Sequence, residues 1–115
     1  MALQKIAAFS DGTQGGNPAG VWIGEQLPNP ADMQRIAAEV GFSETAFAAL
    51  LGDGRWRVRY FAPESEVPFC GHATIALGAA LAQREGDGVF ALSLSQAEIT
   101  VEGRRLPLAP LLSAL

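Results

Sequence analysis

The segment 72–83 constrains the fold more than any other part of the chain. It reads His-Ala-Thr-Ile-Ala-Leu-Gly-Ala-Ala-Leu-Ala-Gln, with small or apolar residues on every side of a helix and no formal charge. A helix that is apolar all round is usually buried all round. We therefore expect this helix at the centre of the protein, with the rest of the chain wrapped around it.

Short segments with strand character lie on both sides of this helix. They have continuous or alternating apolar residues, several are separated by glycine-containing turns, and they occupy 3–9, 19–23, 45–50, 56–60, 89–94 and 97–101. The sequence predicts an α+β fold, a mixed and largely antiparallel curled sheet around a central buried helix. Strands do not alternate one-for-one with helices, which argues against a doubly wound nucleotide-binding sheet.

A second helix is predicted between the second and third strands. Asn29 before Pro30 is typical of a helix start, and Gly41 is typical of a helix end. Between them, apolar residues recur at helical spacing at Met33, Ile36, Ala37 and Val40. This pattern predicts an amphipathic helix on a surface.

Length and composition favour a single soluble domain. The chain has 115 residues, is 49% hydrophobic and carries a net charge of −4, so its surface offers no attraction to nucleic acid. No apolar run reaches the roughly 18 residues that span a bilayer, and the start does not resemble a signal peptide. We expect a cytoplasmic protein without a membrane partner, with one domain at 1–105 and an apolar, proline-containing tail at 106–115.

Cysteine and histidine each occur once, as Cys70 and His72. An internal disulfide is therefore impossible, and no zinc-ligand set is evident by the usual spacing rules. The sequence predicts no metal and no cofactor. Any chemistry would use ordinary acids and bases or the thiol.

Three clusters contain groups that packing alone does not require, at 16–18, 41–45 and 68–74. In the last of these, Gly71 and His72 lie where the buried helix must begin, so unpaired N–H groups and the positive end of the helix dipole are available there. A small carboxylate or an enolate could bind at such a terminus. The same terminus predicts that the thiolate of Cys70 is favoured.

Each of these residues also has a purely structural explanation. A lone cysteine is more often a small buried hydrophobe, and a lone histidine is more often a hydrogen-bonded structural group. Glu44 is explained equally well as a charge at a strand edge, and Asn17 with Pro18 as a turn. Only their combination indicates function.

That combination resembles a known family over residues 9–101. The blocks that carry the resemblance are Gly-Asn-Pro-Ala-Gly-Val at 16–21, Gly-Phe-Ser-Glu-Thr-Ala-Phe at 41–47, and Arg-Tyr-Phe-Ala-Pro-Glu-Ser-Glu-Val-Pro-Phe-Cys-Gly-His-Ala-Thr at 59–74. In this order they resemble the phenazine-biosynthesis (PhzF-like) isomerases, which have the diaminopimelate-epimerase fold. The chain is similar to the amino-terminal half of such a protein.

The resemblance implies a cofactor-independent isomerase or epimerase that moves a proton on a small carboxylate-bearing substrate. It places the acid/base catalyst on Glu44 and a substrate-orienting role on His72, with a developing enolate held by helix N–H groups. Related epimerases use paired cysteines, and Cys70 resembles the first of such a pair, so both Glu44 and Cys70 are candidate bases, Glu44 being favoured. The substrate-binding residues implied are Asn17, Ser43, Gly71, His72, Ala73 and Thr74.

Relatives of this kind have two similar halves with the active site between them. We therefore expect a homodimer or a separate second-half chain to complete the cleft. The alternative is a truncated, non-catalytic fragment or a small-acid binding module. A purely structural, dimer-forming role is a third interpretation.

Overall fold

The computed structural model describes residues 2–8 and 17–104 of the chain. In this part, seven strands and two helices follow in the order β1 (Ala2–Ala8), β2 (Asn17–Gly24), α1 (Pro30–Val40), β3 (Thr45–Leu50), β4 (Arg55–Phe61), β5 (Glu66–Val67), α2 (Gly71–Glu85), β6 (Gly88–Ser93) and β7 (Glu98–Gly103). The predicted tail at 106–115 and Phe9, the predicted end of the first strand, lie outside the described residues. The predicted α+β class is confirmed.

The strands form one mixed sheet in the order β1-β2-β3-β4-β6-β7, with the short β5 added beside β4. Four pairings are antiparallel, as predicted, but β2 pairs with β3 and β4 pairs with β6 in parallel. A helix lies between the two strands of each parallel pair. Parallel strands begin at the same end of the sheet, so the chain needs a long crossover to return to that end. Sequence reasoning identified the helices but did not draw this consequence, and it missed β5.

Helix α2 lies at the centre of the sheet's concave side, as the sequence predicts. It contacts β1, β2, β3, β6 and β7, and the residues from Ala76 to Ala82 are all buried. The prediction of burial on every side is wrong in the first two turns, where Ile75 is 43% exposed and Gly71 is exposed. The helix begins beyond the part that the sheet encloses, so its amino-terminal end is accessible.

Helix α2 approaches the sheet closely at two glycines. A Cβ added to Gly103 in β7 would overlap the carbonyl oxygen of Gly78 in α2, and one added to Gly78 would lie 3.1 Å from a methyl carbon of Val101. Helix and strand backbones therefore touch where neither partner has a side chain. This contact sets the depth at which α2 lies in the sheet.

Helix α1 covers the opposite face of the sheet, where it forms a second and smaller core. Met33 and Ala37 on its buried side pack against aromatic side chains of three strands, Trp22, Phe47 and Phe61. The helix begins as predicted, since Oδ1 of Asn29 accepts the N–H of Asp32 at 2.8 Å, and it ends at Gly41, which has a left-handed φ of 78°. Neither helix of the described residues has the length and hydropathy needed to span a membrane.

Candidate active site

Two chain segments bring an acid, a thiol and an imidazole to one edge of the sheet. Glu44 lies immediately before β3, and its carbonyl accepts the N–H of Gly20 in the neighbouring parallel strand at 3.1 Å. Cys70 is the residue before α2 and His72 is in its first turn. The carboxylate is thus fixed by the sheet, and the other two groups are fixed by the start of the central helix.

The three side chains are in mutual contact, and we refer to Glu44, Cys70 and His72 as the cluster. The Cys70 Sγ–H donates to Oε1 of Glu44 at 3.3 Å, and His72 Nε2 lies 3.4 Å from the same oxygen. Nδ1 of His72 is 3.4 Å from the Cys70 sulfur. The Glu44 and His72 side chains are 21% and 18% exposed, so the cluster is shielded but reachable.

The start of α2 is held by a chain of hydrogen bonds beneath the cluster. The Thr74 hydroxyl donates to the carbonyl of Cys70 at 2.8 Å, which leaves it to accept from the buried hydroxyl of Tyr60 at 2.6 Å. Burial is the main cause of the raised pKa of Tyr60. Tyr60 therefore stays protonated and fixes the turn that carries Cys70.

The ionisation of Cys70 differs from the prediction. Burial raises the pKa of its thiol, and the hydrogen bond and negative charge of Glu44 raise it further. The N–H groups of Ala73 and His72 favour the thiolate, as expected at a helix start, but they are outweighed. The expected thiolate is therefore wrong, because local helix reasoning did not include the burial of the sulfur, which is the largest cause, or a carboxylate that lies 26 positions away in sequence.

The other predicted site residues lie around the cluster at different depths. Ser43 is exposed in the bend before Glu44, and Gly71 is exposed at the helix start. Ala73 is fully buried, so only its N–H belongs to the site. The Thr74 side chain faces the core. Asn17 is the first residue of β2, and its side chain is outside the part of the chain that the structure describes.

The surface beside the cluster is apolar. Phe69 is 52% exposed, although one edge of its ring contacts Tyr60 at a centroid distance of 5.8 Å, and Ile75 is exposed one turn into α2. A separate open groove of about 420 Å³ lies between β4, β5 and the β6–β7 turn, and its lining includes none of the predicted site residues. We take the cluster rather than this groove as the candidate active site, because of the two it is the cluster that brings an acid, a thiol and an imidazole into contact.

Sequence reasoning missed two features of this site. Tyr60 was assigned only to a strand face, although a buried tyrosine hydroxyl usually has a hydrogen-bond partner, which was the available signal. The counts of cysteine and histidine gave no metal set, whereas one ligand atom from each member of the cluster lies within 4.8 Å of the others. Only the folded chain shows that the three residue types meet.

Comparisons with known proteins match one family over most of the chain. A family model described as phenazine biosynthesis-like protein matches residues 6–103. The chain is 49% identical over 79 residues to an uncharacterized isomerase from Deinococcus radiodurans, a match that covers 69% of this chain and 26% of that protein.

Solved structures show the same fold. A phenazine biosynthesis protein of the PhzF family from Enterococcus faecalis superposes with a TM-score of 0.78 at 32% identity, over 87% of this chain and 39% of that one. A predicted epimerase from Pseudomonas aeruginosa superposes with a TM-score of 0.82 at 25% identity, over 90% of this chain and 38% of that one. This chain thus matches well under half the length of each of these relatives.

Proposed function

The chain belongs to the phenazine biosynthesis-like protein family, and from this premise we propose that it acts as a cofactor-independent isomerase on a small carboxylate-bearing substrate. The observation that carries the proposal is the contact of Glu44 with two proton-bearing groups, Cys70 at 3.3 Å and His72 at 3.4 Å. A partly buried carboxylate with such neighbours can accept a proton and return it.

Glu44 is the base in this mechanism. It takes a proton from a substrate carbon, the electrons of the broken C–H bond pass into an enolate, and the proton returns from Glu44 to a second position. The raised pKa of Cys70 supports this assignment over the alternative, because a thiol that keeps its proton cannot act as the base. Cys70 instead donates a hydrogen bond to the carboxylate.

The beginning of α2 supplies electrostatic stabilisation of the enolate. The N–H groups at a helix start, together with the positive dipole end, stabilise negative charge that develops on a substrate oxygen. Gly71 leaves this end open, and His72 lies beside it, in a position to orient the substrate carboxylate. Ser43 and Asn17 remain proposed substrate contacts at the same edge of the sheet.

The proposal is tested by deuterium incorporation from heavy water into a panel of small amino and hydroxy acids, read by mass spectrometry. We expect Glu44→Gln to lower exchange by roughly 10²- to 10⁴-fold, the usual contribution of a general base. Glu39→Gln is the matched control, because Glu39 is an exposed carboxylate on α1 whose side chain is 66% exposed. Exchange in the Glu44→Gln variant equal to that of the control would remove Glu44 from its role.

We also propose that a second copy or a separate second-half chain completes the cleft. The support is the exposed apolar surface of Phe69 and Ile75 beside the cluster, together with the short share of each relative that this chain covers. Closing the site would exclude water and strengthen every charge interaction in it. If two copies form the cleft, the deuterium-exchange rate should rise more steeply than linearly with protein concentration. If a separate second half forms it, exchange should occur only when that chain is added.

A small-acid binding module is the second candidate function. It is favoured by the open amino-terminal end of α2, which can bind a carboxylate without any catalysis. Saturable binding of a panel acid, measured by calorimetry, without deuterium exchange at any protein concentration or with an added second half, would support the module and reject the isomerase.

A further inference from the structure

The cluster brings together three residue types that bind metal ions, with one ligand atom of each within 4.8 Å of the others. The Cys70 sulfur and the Glu44 oxygen are 3.3 Å apart, the Glu44 oxygen and His72 Nε2 are 3.4 Å apart, and His72 Nε2 and the Cys70 sulfur are 3.9 Å apart. Tetrahedral zinc bonds of about 2.0–2.3 Å place such donors roughly 3.4–3.6 Å from one another. The Cys70–Glu44 and Glu44–His72 separations are close to these values. The Cys70 sulfur, however, lies nearer to His72 Nδ1, at 3.4 Å, than to Nε2, so the imidazole must turn about its side-chain bonds to direct a lone pair at the same ion.

The chemistry of the donors selects the class of ion. One thiolate, one imidazole and one carboxylate suit zinc and its close relative cobalt, whereas calcium and magnesium require more oxygen ligands. A thiolate and a carboxylate together carry two negative charges, which balance a divalent cation in a shielded site. Three protein ligands leave the fourth position of a tetrahedral ion open to water, as in catalytic zinc sites.

We propose that Glu44, Cys70 and His72 form a binding site for Zn²⁺-class divalent cations. The sheet and the start of α2 hold the three side chains together in the folded chain, and binding requires a turn of the His72 imidazole toward the ion. Binding removes the Cys70 proton and occupies the lone pairs of Glu44 and His72. An occupied site therefore cannot transfer protons, and this consequence alone rests on the proposed function.

The test is a titration of the chelator-treated, reduced full chain with Co²⁺, followed by absorption. We expect one ion per chain and a near-ultraviolet band from thiolate to cobalt, which added Zn²⁺ abolishes. Cys70→Ser should remove the band, and His72→Gln and Glu44→Gln should each weaken binding at least about tenfold, a change of about 1.4 kcal/mol. Glu39→Gln should bind like the unchanged chain.

A measurement without any substitution guards against variants that fail to fold. Zn²⁺, but not Mg²⁺, should protect Cys70 of the unchanged chain from alkylation by iodoacetamide. No thiolate-to-cobalt band at saturating Co²⁺, or equal alkylation with and without Zn²⁺, would overturn the proposal.

The metal site and the isomerase can fail separately. Loss of deuterium exchange on adding Zn²⁺, restored by a chelator, supports the inhibitory consequence. A cobalt band without exchange in the metal-free chain rejects the isomerase and leaves the metal site standing, whereas exchange without a cobalt band rejects only the metal site.

Discussion

Cys70 occupies a position where two opposing influences act on one sulfur atom. The start of α2 favours the thiolate, through N–H groups of Ala73 and His72, while burial and Glu44 favour the thiol. The second set prevails because burial, the largest influence on the pKa of this thiol, disfavours the charged form, and the hydrogen bond and charge of Glu44 act in the same direction. The residue therefore acts as a hydrogen-bond donor to the proposed base.

This balance predicts the reactivity of the thiol. Because the pKa of Cys70 is raised, its alkylation by iodoacetamide at neutral pH should be slower than that of a free thiol and should accelerate only at alkaline pH. Glu44→Gln removes the charge that raises the pKa, so the midpoint of the pH–rate profile should move to lower pH. Stopped-flow or mass-spectrometric alkylation across pH measures this shift, and an unmoved midpoint would contradict it.

Tyr60 links stability to pH at the same place. Its folded-state pKa is raised by burial, so its stabilising contribution is complete below the ordinary value of 10.0 and is lost as pH rises through the folded-state value. Tyr60→Phe should cost about 0.5–1.5 kcal/mol at neutral pH through the lost hydrogen bond to Thr74. Urea unfolding of both proteins from neutral to strongly alkaline pH should show the two stabilities converging, and a constant difference would contradict this account.

At the scale of elements, α2 and β7 pack closely because each has a glycine at the contact. The helix is composed mainly of alanine, leucine and glycine, and it approaches β7 closely where Gly78 meets Gly103. Small residues on a buried helix allow a sheet to curl tightly around it, since the distance between backbones depends on side-chain volume.

A single methyl group at this contact should therefore be costly. Gly103→Ala should lower the free energy of unfolding by about 1–3 kcal/mol, the usual effect of overpacking. Gly88→Ala is the matched control, because Gly88 pairs with Gly103 across the β6–β7 hairpin and an added Cβ meets nothing within 4 Å. Urea unfolding curves measure both variants, and equal midpoints would show that the close contact does not limit packing.

At the scale of the whole molecule, the sheet has two unequal faces. Its concave side holds α2 and the larger core, and its other side carries α1 over a smaller aromatic core. At the end of the sheet where α2 begins, Phe69 and Ile75 are exposed next to the cluster. An exposed apolar patch beside shielded titratable groups is typical of a binding surface.

The proposed assembly depends on this patch. If two copies or a second half meet there, Phe69→Ser should weaken association by roughly 10- to 100-fold, since burying such a side chain contributes about 1.5–3 kcal/mol. Leu50→Ser is the control, because Leu50 is similarly exposed, at 50%, at the opposite end of β3. Sedimentation equilibrium measures both variants, and a chain that stays monomeric at all concentrations tested would leave only the separate second half.

The amino-acid sequence by itself determined the local features. The spacing of Met33 and Ala37 and the caps at Asn29 and Gly41 predicted α1, and the alternation of Trp56, Val58 and Tyr60 predicted β4, because helix and strand periods appear directly in the order of residues. The apolar segment 72–83 predicted the central helix, and three motif blocks predicted the family. These signals act over a few residues and need no knowledge of the rest of the fold.

The tertiary structure alone decided how these local features meet. Glu44 and Cys70 come into contact through the pairing of β3 with β4 and the path of the chain from β4 through β5 into α2. That contact adds to the effect of burial on the pKa of Cys70 and brings three possible metal ligands together. Electrostatic interactions and coordination depend on distance in space, which the sheet register sets, and residue spacing does not encode that register by itself.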